Sequence, residues 1–273
     1  MSALARYREE WFGNITRDTL AGMVGTFALI PEVIAFSFVA GVDPAVGLYA
    51  SFVISVVIAL TGGRPGMISG AAGSVALVAA ALVRGHGVQY LLAATLLCGL
   101  LQVTFGVLRL HVLMRYVSRP VRTGFVNALA ILIFSAQVPH MLHVTWHSYA
   151  MIALGLAIIY SVPRVFSAIP SPLICIVVLT VISIIYPMPL HTVADLGRLP
   201  DSLPHLVWPD VPMSLDTLEI IAPYALAMAA VGMLESMMTA RVVDDLTETT
   251  SSKRQECTGL GLANIAVGLF GGI

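Results

Sequence analysis

Two carboxylates stand in stretches where a charge is costly. Glu235 lies within Met233-Leu234-Glu235-Ser236-Met237-Met238-Thr239, in an otherwise apolar run. Glu235 and Thr239 are spaced i, i+4, so both oxygens project from one face of a helix. Such a pair can hold Na⁺ or, as an acid removed from water, carry a proton. The plainer alternative is a glutamate held neutral or bonded to a nearby hydroxyl. Glu32 follows Pro31 near the middle of another apolar run. Proline cannot donate a backbone hydrogen bond, so Pro31-Glu32 suggests a broken helix with a carboxyl at the break. Phe36, four residues on, shares its face. A third feature is the small-residue run Gly70-Ala71-Ala72-Gly73-Ser74. If a helix starts there at the membrane midplane, its free N–H groups and positive dipole end can hold an anion. The alternative is that small residues only let helices pack closely.

The composition defines the setting for these groups. The chain has 273 residues, of which 58% are hydrophobic and 11% charged, with a mean hydropathy of +0.91. Soluble domains carry about 25% charged residues, so this chain cannot clothe a globule in polar surface. A soluble enzyme, a disordered protein and a typical nucleic-acid binder are excluded. The net charge of −1 provides no basic field for nucleic acid. Cys98, Cys175 and Cys257 are far apart and form neither a disulfide framework nor a zinc motif.

A membrane helix needs about 20 mostly apolar residues. Nine candidate spans are predicted: Leu20–Val39, Ala45–Leu60, Gly73–Val83, Tyr90–Leu108, Val121–Val138, Tyr149–Val162, Leu173–Tyr186, Leu218–Ala240 and Gly259–Ile273. The polar segment Met1–Asp18 lacks a cleavable signal, so the first span is expected to be retained. Gly73–Val83 is too short to cross as one helix. It follows Gly62-Gly63-Arg64-Pro65-Gly66-Met67-Ile68-Ser69-Gly70, which reads as extended backbone that must be buried in protein or line a cavity. The last span stops at Gly271-Gly272-Ile273 without a polar flank.

With the N-terminus inside and eight spans alternating, 12 of the 14 basic residues fall inside. Only Arg84 and Arg198 fall outside, a strong positive-inside bias. The proline-rich segment His191–Asp216 is then an outer loop. Arg241–Glu256, with charges of both signs, reads as a solvated inner loop. His140, His143 and His147 are too loosely spaced for a clear metal site and suit an interfacial loop. Asn127 suits an interhelical hydrogen bond. Arg115, Arg119 and Arg122 form a basic edge for topology or lipid headgroups. Nucleophile-elbow, P-loop, HExxH and dinucleotide motifs are all missing.

Several patches, in order along nearly the whole chain, resemble SulP-type anion permeases. They are Ile30-Pro31-Glu32-Val33-Ile34-Ala35-Phe36-Ser37, Ala40-Gly41-Val42-Asp43-Pro44, Gly47-Leu48-Tyr49-Ala50-Ser51 and Arg119-Pro120-Val121-Arg122-Thr123-Gly124-Phe125-Val126-Asn127. They continue in Leu234-Glu235-Ser236, Thr239-Ala240, Asp244-Asp245-Leu246-Thr247, Gly261-Leu262-Ala263-Asn264-Ile265 and Phe270-Gly271-Gly272. The resemblance implies an all-α membrane fold of two inverted seven-helix repeats, arranged as core and gate domains. This chain would hold the first repeat and the start of the second, with a half-helix at the third span. Residues 1–17 would be a cytoplasmic segment and 18–273 a truncated transmembrane domain without a STAS domain. The implied protein is a homodimer in its full-length form, in a bacterial plasma membrane, with no nucleic-acid partner.

The family moves sulfate, bicarbonate, chloride or dicarboxylates, often with H⁺ or Na⁺. The resemblance implies that Glu32, Phe36, Ala72, Gly73 and Ser74 line the anion site and that Glu235 and Thr239 form the coupling-cation site. No catalytic residue, cofactor or resident metal is implied. Many relatives carry Gln where this chain has Glu32, and an extra carboxylate repels an anion unless protonated, which favours proton coupling. Gly70-Ala71 stands where the family often has Gly-Pro. The chain also ends before the tenth helix, so the resemblance implies a fragment or a degenerate gene product. The function expected is secondary active anion transport. The rival readings are a passive anion channel, a non-transporting membrane fragment and a permease for uncharged nucleobases.

Overall fold

The computed structural model describes residues 11–110, 112, 118–142, 144–165, 171–186, 189–190 and 197–272, apart from the side chains of Arg119, Arg122, Ala136 and His140. Among them, nine helices of 14 residues or more follow one another. They are α1 (Ile15–Ala40), α2 (Pro44–Thr61), α3 (Gly73–His86), α4 (Val88–Val107), α5 (Arg119–Met141), α6 (Trp146–Val165), α7 (Ser171–Ile185), α8 (Leu215–Thr247) and α9 (Lys253–Leu269). Each of the nine predicted spans corresponds to one of them. Five (α1, α2, α4, α6 and α8) are long and apolar enough to cross a membrane, and α3 and α7 are shorter apolar helices. At 1.5 Å per residue, the 14 residues of α3 extend about 21 Å, short of the ~30 Å hydrocarbon core.

The break expected at Pro31 is absent. α1 is helical from Ile15 to Ala40 with Pro31 inside it. One proline removes a single intrahelical hydrogen bond, and a long apolar helix can retain its course around that loss.

The chain divides into two compact units. The first comprises Met1–Glu32 and Ser135–Leu196, the second Val33–Phe134 and Gly197–Ile273. In the first, α6 packs on α7. Gly155 of α6 permits that approach, and Cys175 Sγ of α7 donates to its carbonyl at 3.7 Å.

The second unit is built around α9. Its closest neighbour is α4, and glycines explain the contact. A Cβ on Gly99 would lie 2.6 Å from the Gly261 carbonyl oxygen, and one on Gly261 would lie 2.6 Å from the Val103 nitrogen. The two backbones touch, as small residues allow between membrane helices. Ala50, Val53, Ile54 and Ile58 of α2 meet Leu260, Ala263 and Val267 of α9 in a buried apolar cluster. Met233 and Met237 of α8 close over Cys257 of α9. One polar group runs through this core. Gln102 is wholly buried, accepts from Asn264 Nδ2 at 2.6 Å and donates to the Ala229 carbonyl at 3.4 Å. The bond between α4 and α9 satisfies an amide that would otherwise be costly to bury.

The proline-rich segment is irregular over residues 197–214; of the rest of its predicted range, 191–196 lies outside the described residues and Leu215 and Asp216 open α8. Its main chain is fastened to three helices. The Ala45 amide donates to the Arg198 carbonyl at 3.1 Å, the Asp210 amide to Gln89 Oε1 at 3.0 Å, and the Val207 amide to the Leu269 carbonyl at 2.7 Å.

Arg241–Glu256 is only in part the solvated loop expected from its charges: residues 248–252 are non-helical and most of the segment is exposed, but helices enter it from both sides. α8 runs on to Thr247, α9 begins at Lys253, and Glu256 is wholly buried. Arg64 reaches the same place, with an ion pair to Asp244 at 3.1 Å, beside that of Lys253 with Asp244 at 2.6 Å. Arg64 and Lys253 thus meet Asp244 where α8 and α9 approach, on either side of the non-helical residues 248–252.

Candidate functional site

The start of α3 is set by what precedes it. Residues 62–72 are non-helical, as the glycine and proline content predicted. Part of this lead-in is strung along α2 by two serines one helical turn apart. Ser55 Oγ donates to the Ser69 carbonyl at 2.9 Å, and the Ala71 amide donates to Ser51 Oγ at 3.0 Å. These bonds supply partners for backbone that lipid could not satisfy. The sequence reading missed both serines, whose only signal is their i, i+4 spacing in an apolar helix.

Ala72 caps α3 with extended backbone (φ −104°, ψ 134°) and no side-chain capping bond. The first intrahelical bond runs from the Ala76 amide to the Ala72 carbonyl. The amides of Gly73, Ser74 and Val75 therefore form the electropositive tip of the helix. Phe36 of α1 lies against this tip. A Cβ on Gly73 would fall 2.7 Å from Phe36 Cε1 and 3.0 Å from Ile133 Cδ1. Only glycine leaves room for the ring. Beside it is a recess of about 20 Å³ lined by Phe36, Ser37, Gly47, Ala71, Ala72, Val75 and Ala76. That volume suits one water molecule.

Ser74, in the first turn of α3, is buried and its hydroxyl donates to Glu235 Oε2 of α8. The Glu235 carboxylate is thereby joined to the tip of α3. Thr239 is on the same helix, but its hydroxyl donates to the Glu235 backbone carbonyl at 3.1 Å rather than lying beside the carboxylate. The structure thus gathers Phe36, Ala72, Gly73, Ser74 and Glu235 in the second unit, with Thr239 one turn away. Glu32 is exposed on α1 and belongs to the first unit.

His143 and the His140 side chain lie outside the described residues, and the His147 ring stacks on Trp146 with centroids 4.1 Å apart. No group of three or more potential metal ligands occurs among the described residues. Asn127 is exposed on α5. Arg115 and the side chains of Arg119 and Arg122 are outside the described residues.

Comparison with known proteins agrees with this architecture. The sulfate permease family model matches residues 15–152 and 143–273. The chain is 53% identical over 266 residues to the putative sulfate transporter YbaR of Bacillus subtilis (strain 168), covering 97% of this chain and 56% of the relative. It is 26% identical over 295 residues to the bicarbonate transporter BicA of Picosynechococcus sp., covering 96% and 52%. The chain therefore spans about half the length of the curated relatives it matches. Among solved structures, the transmembrane domain of a cyanobacterial bicarbonate transporter BicA superposes with a TM-score of 0.81 at 23% identity, covering 96% of this chain and 74% of that one. The likeness establishes an all-helical, multi-span membrane fold.

Proposed function

Because this chain belongs to the sulfate permease family, an integral multi-pass group of permeases rather than enzymes, we propose that it forms part of a secondary active anion transporter. Its cargo is an inorganic anion of the sulfate, bicarbonate or chloride class, or a small dicarboxylate, moved with H⁺ or Na⁺. One observation carries this reading: a helix too short to span begins beside an aromatic wall, and its first turn is hydrogen-bonded to an acid on another helix. The amides at Gly73 and Ser74 hold the anion, with Ala72 and Phe36 shaping the recess. Glu235, with Thr239, takes the coupling ion. Since Ser74 touches Glu235, a cation or proton at the carboxylate and an anion at the helix tip act on the same residue. The water-sized recess must widen for a polyatomic anion, as expected of a carrier that changes shape during transport.

Two relatives, the putative sulfate transporter YbaR and the bicarbonate transporter BicA, support the anion class. We further propose that α1–α7 form the first of two inverted repeats, that α8 and α9 begin the second, and that the N-terminus is cytoplasmic. The assembly is a homodimer. The deciding experiment is uptake into proteoliposomes by the product of the complete gene. Labelled sulfate, bicarbonate and dicarboxylates are offered with and without Na⁺ and a pH gradient. Saturable uptake driven by one gradient is expected. Unsaturable conductance would make the protein a channel, and no uptake of any anion would overturn the reading.

A further inference from the structure

We infer that Glu256 is a positioning residue that fixes the start of the α3 lead-in to α8, so that both ends of residues 63–74 are tied to neighbouring residues of one helix. The inference rests on the transport reading for its consequence, but its geometry is independent of it.

Glu256 is wholly buried, and its two carboxylate oxygens have different partners. Oε2 accepts from the Gly63 amide at 2.9 Å, and Oε1 accepts from Ser236 Oγ at 2.9 Å. Ser236 directly follows Glu235, the acid bonded to Ser74. Adjacent residues of an α-helix point about 100° apart. Glu235 therefore serves the α3 tip while Ser236 serves Glu256. The path runs from Gly63 through Glu256 to Ser236, then one residue back along α8, and from Glu235 to Ser74. The lead-in is held at its far end by Glu235 and at its near end by Glu256, beside Arg64, which pairs with Asp244 and donates to the Val243 carbonyl and to Thr247 of α8.

Other contacts make the near end rigid. The Ser252 amide donates to the Gly63 carbonyl at 3.1 Å, and Gln255 Nε2 donates to the Gly62 carbonyl at 2.9 Å. A Cβ on Gly63 would lie 2.2 Å from the Ser252 carbonyl oxygen and 2.6 Å from the Glu256 nitrogen. The first turn of α9 thus grips a site that admits only glycine. Glu256 sits in that turn, where the helix dipole favours its negative charge. A displacement of α8 that carries Ser236 and Glu235 must move both ends of the lead-in together. The Glu256 side chain joins all three elements, the lead-in, α8 and α9, as Asp244 of α8 does nearby through Arg64 and Lys253.

The test compares wild type with Glu256→Ala, Glu256→Gln and Ser236→Ala in the product of the complete gene, reconstituted in proteoliposomes. Hydrogen exchange of residues 62–74 is measured beside anion uptake. Glu256→Ala leaves a buried amide and a hydroxyl without their charged acceptor, so exchange in 63–72 is expected to rise about tenfold, with the anion KM rising similarly at little change in kcat. Ser236→Ala is expected to give a smaller rise in the same peptides. Glu256→Gln retains one acceptor oxygen and should recover part of the loss; it is the variant read if Glu256→Ala does not accumulate. Unchanged exchange in 63–72, or an equal rise across α2, α4 and α9, overturns the inference, as does a lower amount of protein with an unaltered KM. If wild type transports nothing, the transport reading fails and the exchange data still decide the role of Glu256.

Discussion

The Ser74 hydroxyl donates to the Glu235 carboxylate across 161 residues of sequence, joining the first turn of a short helix to the one acid within the apolar part of α8. A hydrogen bond to a charged group contributes about 1.5–3 kcal/mol. This bond therefore allows the ionic state of Glu235 to be felt at the α3 tip.

Replacing Glu235 with Gln preserves the shape and an acceptor for Ser74 but removes the charge. Uptake by the complete gene product should lose its dependence on pH or Na⁺. Counter-transport of labelled anion across equal concentrations isolates the anion step. Coupled uptake that persists unchanged would show that Glu235 has no role in coupling. Ser74→Ala is expected to weaken anion affinity by about tenfold, the scale of one charge-assisted bond, read as a rise in KM.

Gly73→Val would force a branched side chain into the Phe36 ring, since even a Cβ meets it at 2.7 Å. Overpacking of this kind costs about 1–3 kcal/mol. Uptake should fall sharply in Gly73→Val, and Phe36→Ala in the same chain should restore part of it. An uptake rate equal to wild type in Gly73→Val would mean that the recess beside Phe36 is not on the anion's path.

Ser51→Ala and Ser55→Ala each remove one tie between α2 and the lead-in. Each should cost about 1 kcal/mol, and the double variant should raise hydrogen exchange of residues 69–72 more than either alone. If both single variants leave that exchange at the wild-type rate, α2 does not hold the segment.

Gly99 and Gly261 mark the backbone contact between α4 and α9. A methyl at either position meets main-chain atoms at 2.6 Å, which cannot rotate away as a side chain could. Gly99→Ala and Gly261→Ala should each destabilise the second unit by about 1–3 kcal/mol, seen as a lower melting temperature in detergent. Gly22→Ala, where nothing lies within 4 Å of the added carbon, serves as the control and should not lower that temperature.

The helical plan was legible in the chain because it is written locally. The lengths of apolar runs, and the glycines and prolines between them, set the nine helices found among the described residues, the short third one included. Lipid permits few other conformations for such runs. The resemblance put Phe36, Gly73 and Ser74 at an anion site and Glu235 with Thr239 at a cation site, and did not say that the two sites meet or through which atoms. The reading of Arg241–Glu256 as a solvated loop held for residues 248–252 and not for the buried Glu256 or the paired Asp244. Charge along a sequence marks a need for water or for an opposite charge, and only folding decides which is met. Here Arg64, some 180 residues earlier, brings its charge to Asp244, and the Gly63 amide reaches Glu256.

From its sequence alone this protein is a multi-span helical membrane chain with an interrupted third segment, because hydropathy and backbone punctuation are properties of neighbouring residues. Tertiary structure alone decided that Pro31 leaves α1 continuous, that Thr239 bonds to backbone while Ser74 takes the Glu235 carboxylate, and that Glu256 lies buried between three elements. Each of these depends on which distant group arrives within hydrogen-bonding distance, and that is determined by how the helices pack.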